Sequence, residues 1–236
     1  MCVLLALRPQ GRPGRLWIAA NRDERLDRPW VGPEVLVPSP PVYGGRDLVG
    51  EGSWLALNAA GGFVVGVTNA VRGARPGERS RGRLVVDLAE QESLAAALAL
   101  LTELDLSRYG LFNLLVADRE SIWTATNVAG GRVAGHDERV VVVGNSPLEA
   151  PADRLVEAAS NVRGLVGSPP ADPFPDLAAL LSDHGGDDPL CRHGEGYGTV
   201  CSTVILMEGT SRVRYLFAPG PPCSTPYEEL EVPGAP

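Results

Sequence analysis

A cysteine directly behind the initiator methionine, Cys2, and a dense polar run, Asn21-Arg22-Asp23-Glu24, are the residues of this chain best suited to covalent chemistry. Methionine aminopeptidases remove Met1 when the next side chain is small, so Cys2 is expected to carry both a thiol and a free α-amine. Nucleophile and base then sit on one residue, which is a known route to an activated nucleophile. The unperturbed α-amine titrates at roughly 7.7–8.0 and the thiol at about 8.5, so modest shifts allow proton exchange between them near neutrality. The competing assignment for Cys2 is a small apolar residue that opens a buried strand.

The elements around these residues bring them together. Apolar runs at 2–8 and 15–20 flank Pro9-Gln10-Gly11-Arg12-Pro13-Gly14, a turn between antiparallel strands. In such a hairpin the end of the second strand lies beside the start of the first, which carries Asn21, Arg22 and Asp23 to Cys2. The Pro-rich stretch Arg28–Pro41 cannot hold a central ladder and is expected to be an ordered loop covering something. Strands follow at 53–57 and 63–68, the second ending at Asn69. Arginines 72, 75, 79, 81 and 83 then crowd a loop running into a helix from about Gly82, and a second helix spans about 92–103. Cations at a helix start oppose the macrodipole, so this loop is either a solvated turn or a grip for an anion. Strands at 111–117, 121–125 and 140–143 precede Gly144-Asn145-Ser146. Helices at about 152–160 and 176–182 and a hairpin of 199–207 with 212–217 complete the pattern. Strand runs interrupted by helix blocks predict an α+β fold with antiparallel sheets, as one domain over 1–218 with a loosely held Pro-rich tail over 219–236.

Composition narrows the function classes. A chain of 236 residues with 44% hydrophobic content can bury a substantial core. Its net charge is -8 and all 21 of its cationic side chains are arginine, so nucleic acid is a poor partner. The cysteines at 2, 191, 201 and 223 lack the paired spacing of a zinc ribbon. Cys191, His193 and Cys201 match no common structural zinc spacing and want a fourth ligand, so no metal is expected. The longest apolar runs are too short to span a bilayer, and reduced thiols with no secretory leader make the cytosol the expected compartment.

Met1-Cys2, Ala19-Ala20-Asn21-Arg22-Asp23-Glu24, Gly52-Ser53-Trp54-Leu55, Thr68-Asn69, Ser80-Arg81-Gly82, Phe112-Asn113, Gly144-Asn145-Ser146 and Tyr197-Gly198-Thr199 together resemble the NRDE family, also called the transport and Golgi organization protein 2 family. The resemblance runs in order to about residue 217. It implies a four-layer αββα fold similar to amino-terminal-nucleophile hydrolases, with distant similarity to cysteine amidases that cleave penicillins, conjugated bile salts or N-acyl amides. In those amidases an arginine and an aspartate near the end of the second strand contact the terminal cysteine, and Arg22 and Asp23 match them. Asn21 is a candidate to orient either one. Asn69 and Asn145, each at a strand end, are candidates for the oxyanion donors, or else simply cap turns. In the family pattern Tyr-Gly-Thr is followed by arginine, whereas here Val200 follows, and Arg192 or Arg214 would have to substitute.

Three functions follow from the resemblance. One is a cysteine amidohydrolase acting on a small acyl amide. A second is a non-catalytic carrier or chaperone of haem, as in haem trafficking, or of an acyl-CoA-like lipid, with Arg72, Arg75, Arg79 and Arg81 gripping propionates or phosphates. No required cofactor is implied, and the histidines at 136, 184 and 193 offer no strong axial ligation pattern. Trp54 is expected in the core or in the pocket wall. The third is a relic of the fold whose Cys2 merely packs.

Overall fold

The computed structural model describes residues 2–71, 75–209 and 212–233. In chain order the strands are β1 (Val3–Leu7), β2 (Arg15–Arg25), β3 (Trp30–Pro38), β4 (Pro41–Asp47), β5 (Leu55–Asn58) and β6 (Phe63–Asn69). Helices α1 (Arg81–Ala89) and α2 (Leu94–Glu103) follow. Next come β7 (Phe112–Asp118), β8 (Ile122–Thr126), β9 (Arg132–His136) and β10 (Val140–Gly144). Helices α3 (Asp153–Gly167) and α4 (Phe174–Leu181) lead to β11 (Tyr197–Glu208), β12 (Arg212–Ala218) and β13 (Glu228–Leu230).

These strands form two antiparallel sheets, one ordered β10-β1-β2-β11-β12-β13 and the other β3-β4-β5-β6-β7-β8-β9. Alternation along each strand assigns its side chains to one of two cores. Leu4, Ala6, Ile18 and Ala20 face inward and meet Leu55, Leu57, Val64 and Leu115 of the other sheet. Val3, Leu5, Trp17 and Ala19 face outward, where Leu155, Ala158 and Val162 of α3 and Leu177 and Leu181 of α4 cover them. On the far side α1 and α2 cover the seven-stranded sheet through Leu84, Leu88, Ala97 and Leu101. The result is the expected four-layer αββα arrangement. No helix among the described residues is long and apolar enough to cross a membrane.

Two sequence expectations are corrected here. The Pro-rich stretch 28–41 is largely the strand β3, at the edge of its sheet and paired through shifted register with β4. Edge position is what makes its prolines tolerable, because no further strand demands their missing N–H groups. The described residues beyond Ala218, 219–233, are held rather than loose: β13 pairs with β12, and the Tyr227 and Ser202 hydroxyls are hydrogen-bonded at 2.6 Å.

Candidate active site

The hairpin of β1 and β2 builds the centre of the site. Val3 pairs with Asn21 of β2 on one side and with Gly144 of β10 on the other. One step further out, Cys2 is level with Arg22 on one flank and with Asn145 on the other. The even positions of β1 and β2 face the other sheet, so Cys2 and Arg22 look between the sheets, into the end of the sandwich where the apolar core stops. There a cleft of about 990 Å³ opens, lined by Cys2, Arg22, Asp23, Asn69 and Asn145 among others.

Cys2 is half-buried, and its Sγ lies 3.6 Å from the backbone carbonyl oxygen of Asp23. Burial pushes the thiol up from its ordinary value, the Asp23 carboxylate adds to this, and Arg22 pulls the other way. The backbone carbonyl of Cys2 accepts from Arg154 Nη2 at 3.3 Å. Arg154 is a buried arginine at the start of α3, and its Nη1 also donates to Pro189 O at 3.2 Å. Sequence reasoning missed it. The signal was an arginine on the stripe it shares with Ala158 and Val162, which is otherwise apolar.

Arg22 is fixed by three neighbours. Its Nη2 meets Asp47 Oδ2 at 2.7 Å, Glu24 lies at 3.8 Å, and the guanidinium stacks 4.5 Å above the Trp54 ring. Asp47 also accepts two bonds from Arg28, at 2.7 and 3.0 Å. Burial raises the Asp47 carboxyl, but the Arg28 hydrogen bonds, the Gly50 amide and the charges of Arg28 and Arg22 outweigh it and hold the group below its ordinary value. Trp54 packs edge-on against Trp30 at 5.9 Å and lines the cleft.

The Asp23 carboxylate is enclosed, accepting from Thr199 Oγ1 at 2.7 Å with Arg192 Nε at 3.6 Å. Thr199 Oγ1 in turn accepts from the Arg192 backbone N–H at 2.9 Å. The Tyr-Gly-Thr motif therefore secures the aspartate. Val200, where the family pattern has arginine, is buried in the core between the sheets. Arg192 lines the cleft beside Asp23, whereas Arg214 pairs with Glu229 and Asp172 away from it.

Asn21 does not face Cys2. It occupies an outward-facing position of β2, and its Nδ2 donates to the carbonyls of Leu181 and Leu190 at 2.8 and 2.9 Å. The amide ties α4 and the segment after it to the sheet, which is a positioning task. Asn145 Nδ2 donates to the backbone carbonyl of Asn69, so the two strand-end asparagines meet across the sheets. Asn113 and Thr68 make this possible. Asn113 Nδ2 donates to Gly144 O and Ser146 O at 2.9 and 2.7 Å, and Thr68 Oγ1 donates to Gly144 O at 2.8 Å. These inward polar residues hold the carbonyls on either side of Asn145, which gives the Phe112-Asn113 motif its purpose.

The arginine loop is only partly in the cleft. Arg79 and Arg81 line it, with Arg79 3.3 Å from Asp87 and Arg81 Nη1 donating to Leu111 O at 3.1 Å. Arg75 is exposed and is not among the lining residues, and Arg72 lies outside the described residues. Arg22, Arg25, Arg28 and Arg192 add to the cationic wall. The Gly52-Ser53 and Arg81-Gly82 motifs touch directly: Ser53 N–H donates to Gly82 O at 3.0 Å, and a Cβ on Gly52 would lie 2.1 Å from the Gly82 carbonyl carbon. This crossing presents the start of α1, capped by Ser80, to the cleft.

Comparison with known proteins agrees with this architecture. A Caenorhabditis elegans N-acylethanolamine-hydrolyzing acid amidase ortholog superposes with a TM-score of 0.61 at 14% identity, covering 86% of this chain and 92% of that one. At that identity the likeness is one of fold, an amino-terminal-nucleophile hydrolase fold. No curated protein matches the sequence. The family model described as Transport and Golgi organisation 2 matches residues 1–216, and the chain belongs to that family.

Proposed function

We propose that the cleft hydrolyses a small N-acyl amide with Cys2 as the nucleophile. The observation that carries this reading is the placement of Cys2 at the cleft end of β1, level with Arg22 and Asn145, with its Sγ against the Asp23 backbone. The thiol is pushed up by burial, and Arg22 has Asp47 as a close counter-ion, so Arg22 alone does not supply a thiolate. A base is needed. No histidine lines the cleft, and the Asp23 carboxylate faces Thr199 and Arg192. The α-amine that Cys2 gains on removal of Met1 is the base this geometry calls for.

In the reaction the α-amine takes the thiol proton as sulfur bonds to the amide carbonyl carbon. The tetrahedral oxyanion is met by the Asn145 amide, which is level with Cys2. Collapse breaks the C–N bond, the ammonium returns the proton to the leaving amine, and a thioester remains on Cys2. Water, deprotonated by the same amine, then releases the carboxylic acid and restores the thiol. Asp23 and Arg192 set the electrostatics around the ammonium and thiol, and Arg154 holds the Cys2 backbone.

The fold-level likeness to an N-acylethanolamine-hydrolyzing amidase supports starting from N-acylethanolamines and N-acyl amino acids. The test is acid-quenched mass spectrometry of Met1-free protein during turnover. A mass increase equal to the acyl group, mapped to Cys2, supports the reading. Turnover that survives Cys2→Ala, or no acylation by any of these amides, sinks it. A second reading, carriage of haem or an acyl-CoA-like ligand, draws on the size of the cleft and on the six arginines among its described lining residues, Arg22, Arg25, Arg28, Arg79, Arg81 and Arg192. It calls for saturable binding that Cys2→Ala leaves intact.

A further inference from the structure

His184, Cys191, His193 and Cys223 converge at the outer corner of the six-stranded sheet, with their potential donor atoms all within 4.8 Å of one another. We propose that these four side chains form a structural zinc site, separate from the Cys2 cleft, that clamps the C-terminal segment to the strap carrying Arg192.

The distances among Cys191, His193 and Cys223 are those of a coordination shell. In a tetrahedral site with Zn–S of about 2.3 Å and Zn–N of about 2.0–2.1 Å, the ligand atoms stand about 3.3–3.8 Å apart. Here Cys191 Sγ and Cys223 Sγ are 3.6 Å apart, His193 Nε2 is 3.2 Å from Cys223 Sγ, and Cys191 Sγ is 3.7 Å from His193 Nε2. The fourth ligand, His184, has its donor atom within 4.8 Å of the others, its ring tilted against that of His193 at 5.1 Å between centroids. Both sulfurs are free thiols, well beyond disulfide bonding distance, and a disulfide would leave two imidazoles gathered around it without a reason.

The ligands come from three separate segments. His184 follows α4, Cys191 and His193 flank Arg192, and Cys223 sits in the turn that begins at Pro221, where Ser224 and Thr225 N–H both donate to Pro221 O. The Cys191 N–H donates to Asp183 O at 2.9 Å, which closes the loop holding the first three ligands. Two thiolates and two imidazoles favour zinc over the hard cations, and four protein donors leave no open position for chemistry. Cys201 is not a ligand, because it is buried in the core between the sheets. The sequence offered no paired spacing because Cys223 lies 30 residues beyond His193. Arg192, held between two ligands, is the residue that reaches Asp23 at 3.6 Å, so the clamp supports the cleft wall from behind.

The full chain, purified reduced, without a metal-affinity tag and without chelator, provides the test. Elemental analysis should find one zinc per chain, lost in Cys223→Ser and in His193→Ala and retained in Cys2→Ser. Cobalt(II) added to metal-free protein should give the intense visible bands of a tetrahedral thiolate site, absent in Cys223→Ser. Cys223 is exposed, so its serine variant should keep the wild-type circular dichroism. Should it misfold, the cobalt spectrum of the wild type decides alone. Wild-type protein that holds no zinc and gives no cobalt bands overturns the site. So does zinc retained at full stoichiometry by Cys223→Ser, or a Cys191–Cys223 disulfide in protein alkylated at lysis.

Discussion

Cys2 and Cys191 are both sulfurs beside basic side chains, yet the two corners of the molecule prepare them for opposite chemistry. Cys2 stands alone at a cleft, half-buried, with a carbonyl and a paired arginine as its polar neighbours and open volume in front of it. Cys191 is buried and meets a second sulfur and a nearby imidazole at 3.6 and 3.7 Å, with no room between them for a substrate. A nucleophile needs an unsatisfied approach direction, whereas a metal ligand needs every direction filled. Burial and basic neighbours therefore do not identify a reactive thiol. The geometry of what faces the sulfur does.

The largest contrast between the two corners should appear on removing sulfur. Cys2→Ala should lower amide turnover by about 10⁶-fold, the loss typical of deleting a covalent nucleophile, with no change in zinc content. Steady-state kinetics alongside elemental analysis checks both halves. At the other corner, stripping the metal with a chelator should lower Tm by about 10 °C, as expected for a ligand that contributes about 4 kcal/mol to a domain of this size. Calorimetry before and after chelation measures it.

Within the cleft the effects become smaller. Asn145→Ala should reduce kcat by about 10²–10³-fold with KM nearly unchanged, because an oxyanion donor acts on the transition state alone. A rise in KM at constant kcat would instead make Asn145 a ground-state contact. The smallest effect concerns Asp47, whose carboxyl is held below its ordinary value by Arg28 and Arg22 against the opposing effect of burial. A depressed carboxyl stabilises the fold above about pH 4, and that stability is lost as pH falls through the folded value. The loss should be seen as a drop in the urea midpoint on acidification that Asp47→Asn flattens.

What the sequence disclosed followed from local connectivity. A short turn fixes the β1–β2 register, so Cys2 beside Arg22 and Asp23 is legible in the sequence. Strand alternation separates the members of that run: Asn21 points outward to the Leu181 and Leu190 carbonyls while Arg22 points inward to Asp47 and Trp54. Asp47 carries no local pattern and Arg154 is marked only by its place on an otherwise apolar stripe, since each finds its partners on another element. Prolines misled at β3 because they exclude a central strand and permit an edge one. Asn113 could be singled out as a polar residue in an apolar strand, but the carbonyls it holds are contributed by β10 and the residues after it, 31 and 33 positions away.

The central claim, that Cys2 is an amino-terminal nucleophile, is met most directly by the intact mass of protein from its native host, before and after brief exposure to a limiting thiol alkylator at neutral pH. Loss of Met1 with labelling at Cys2 faster than that of free cysteine is the predicted result. Retention of Met1, or a Cys2 that reacts no faster than free cysteine, would contradict it.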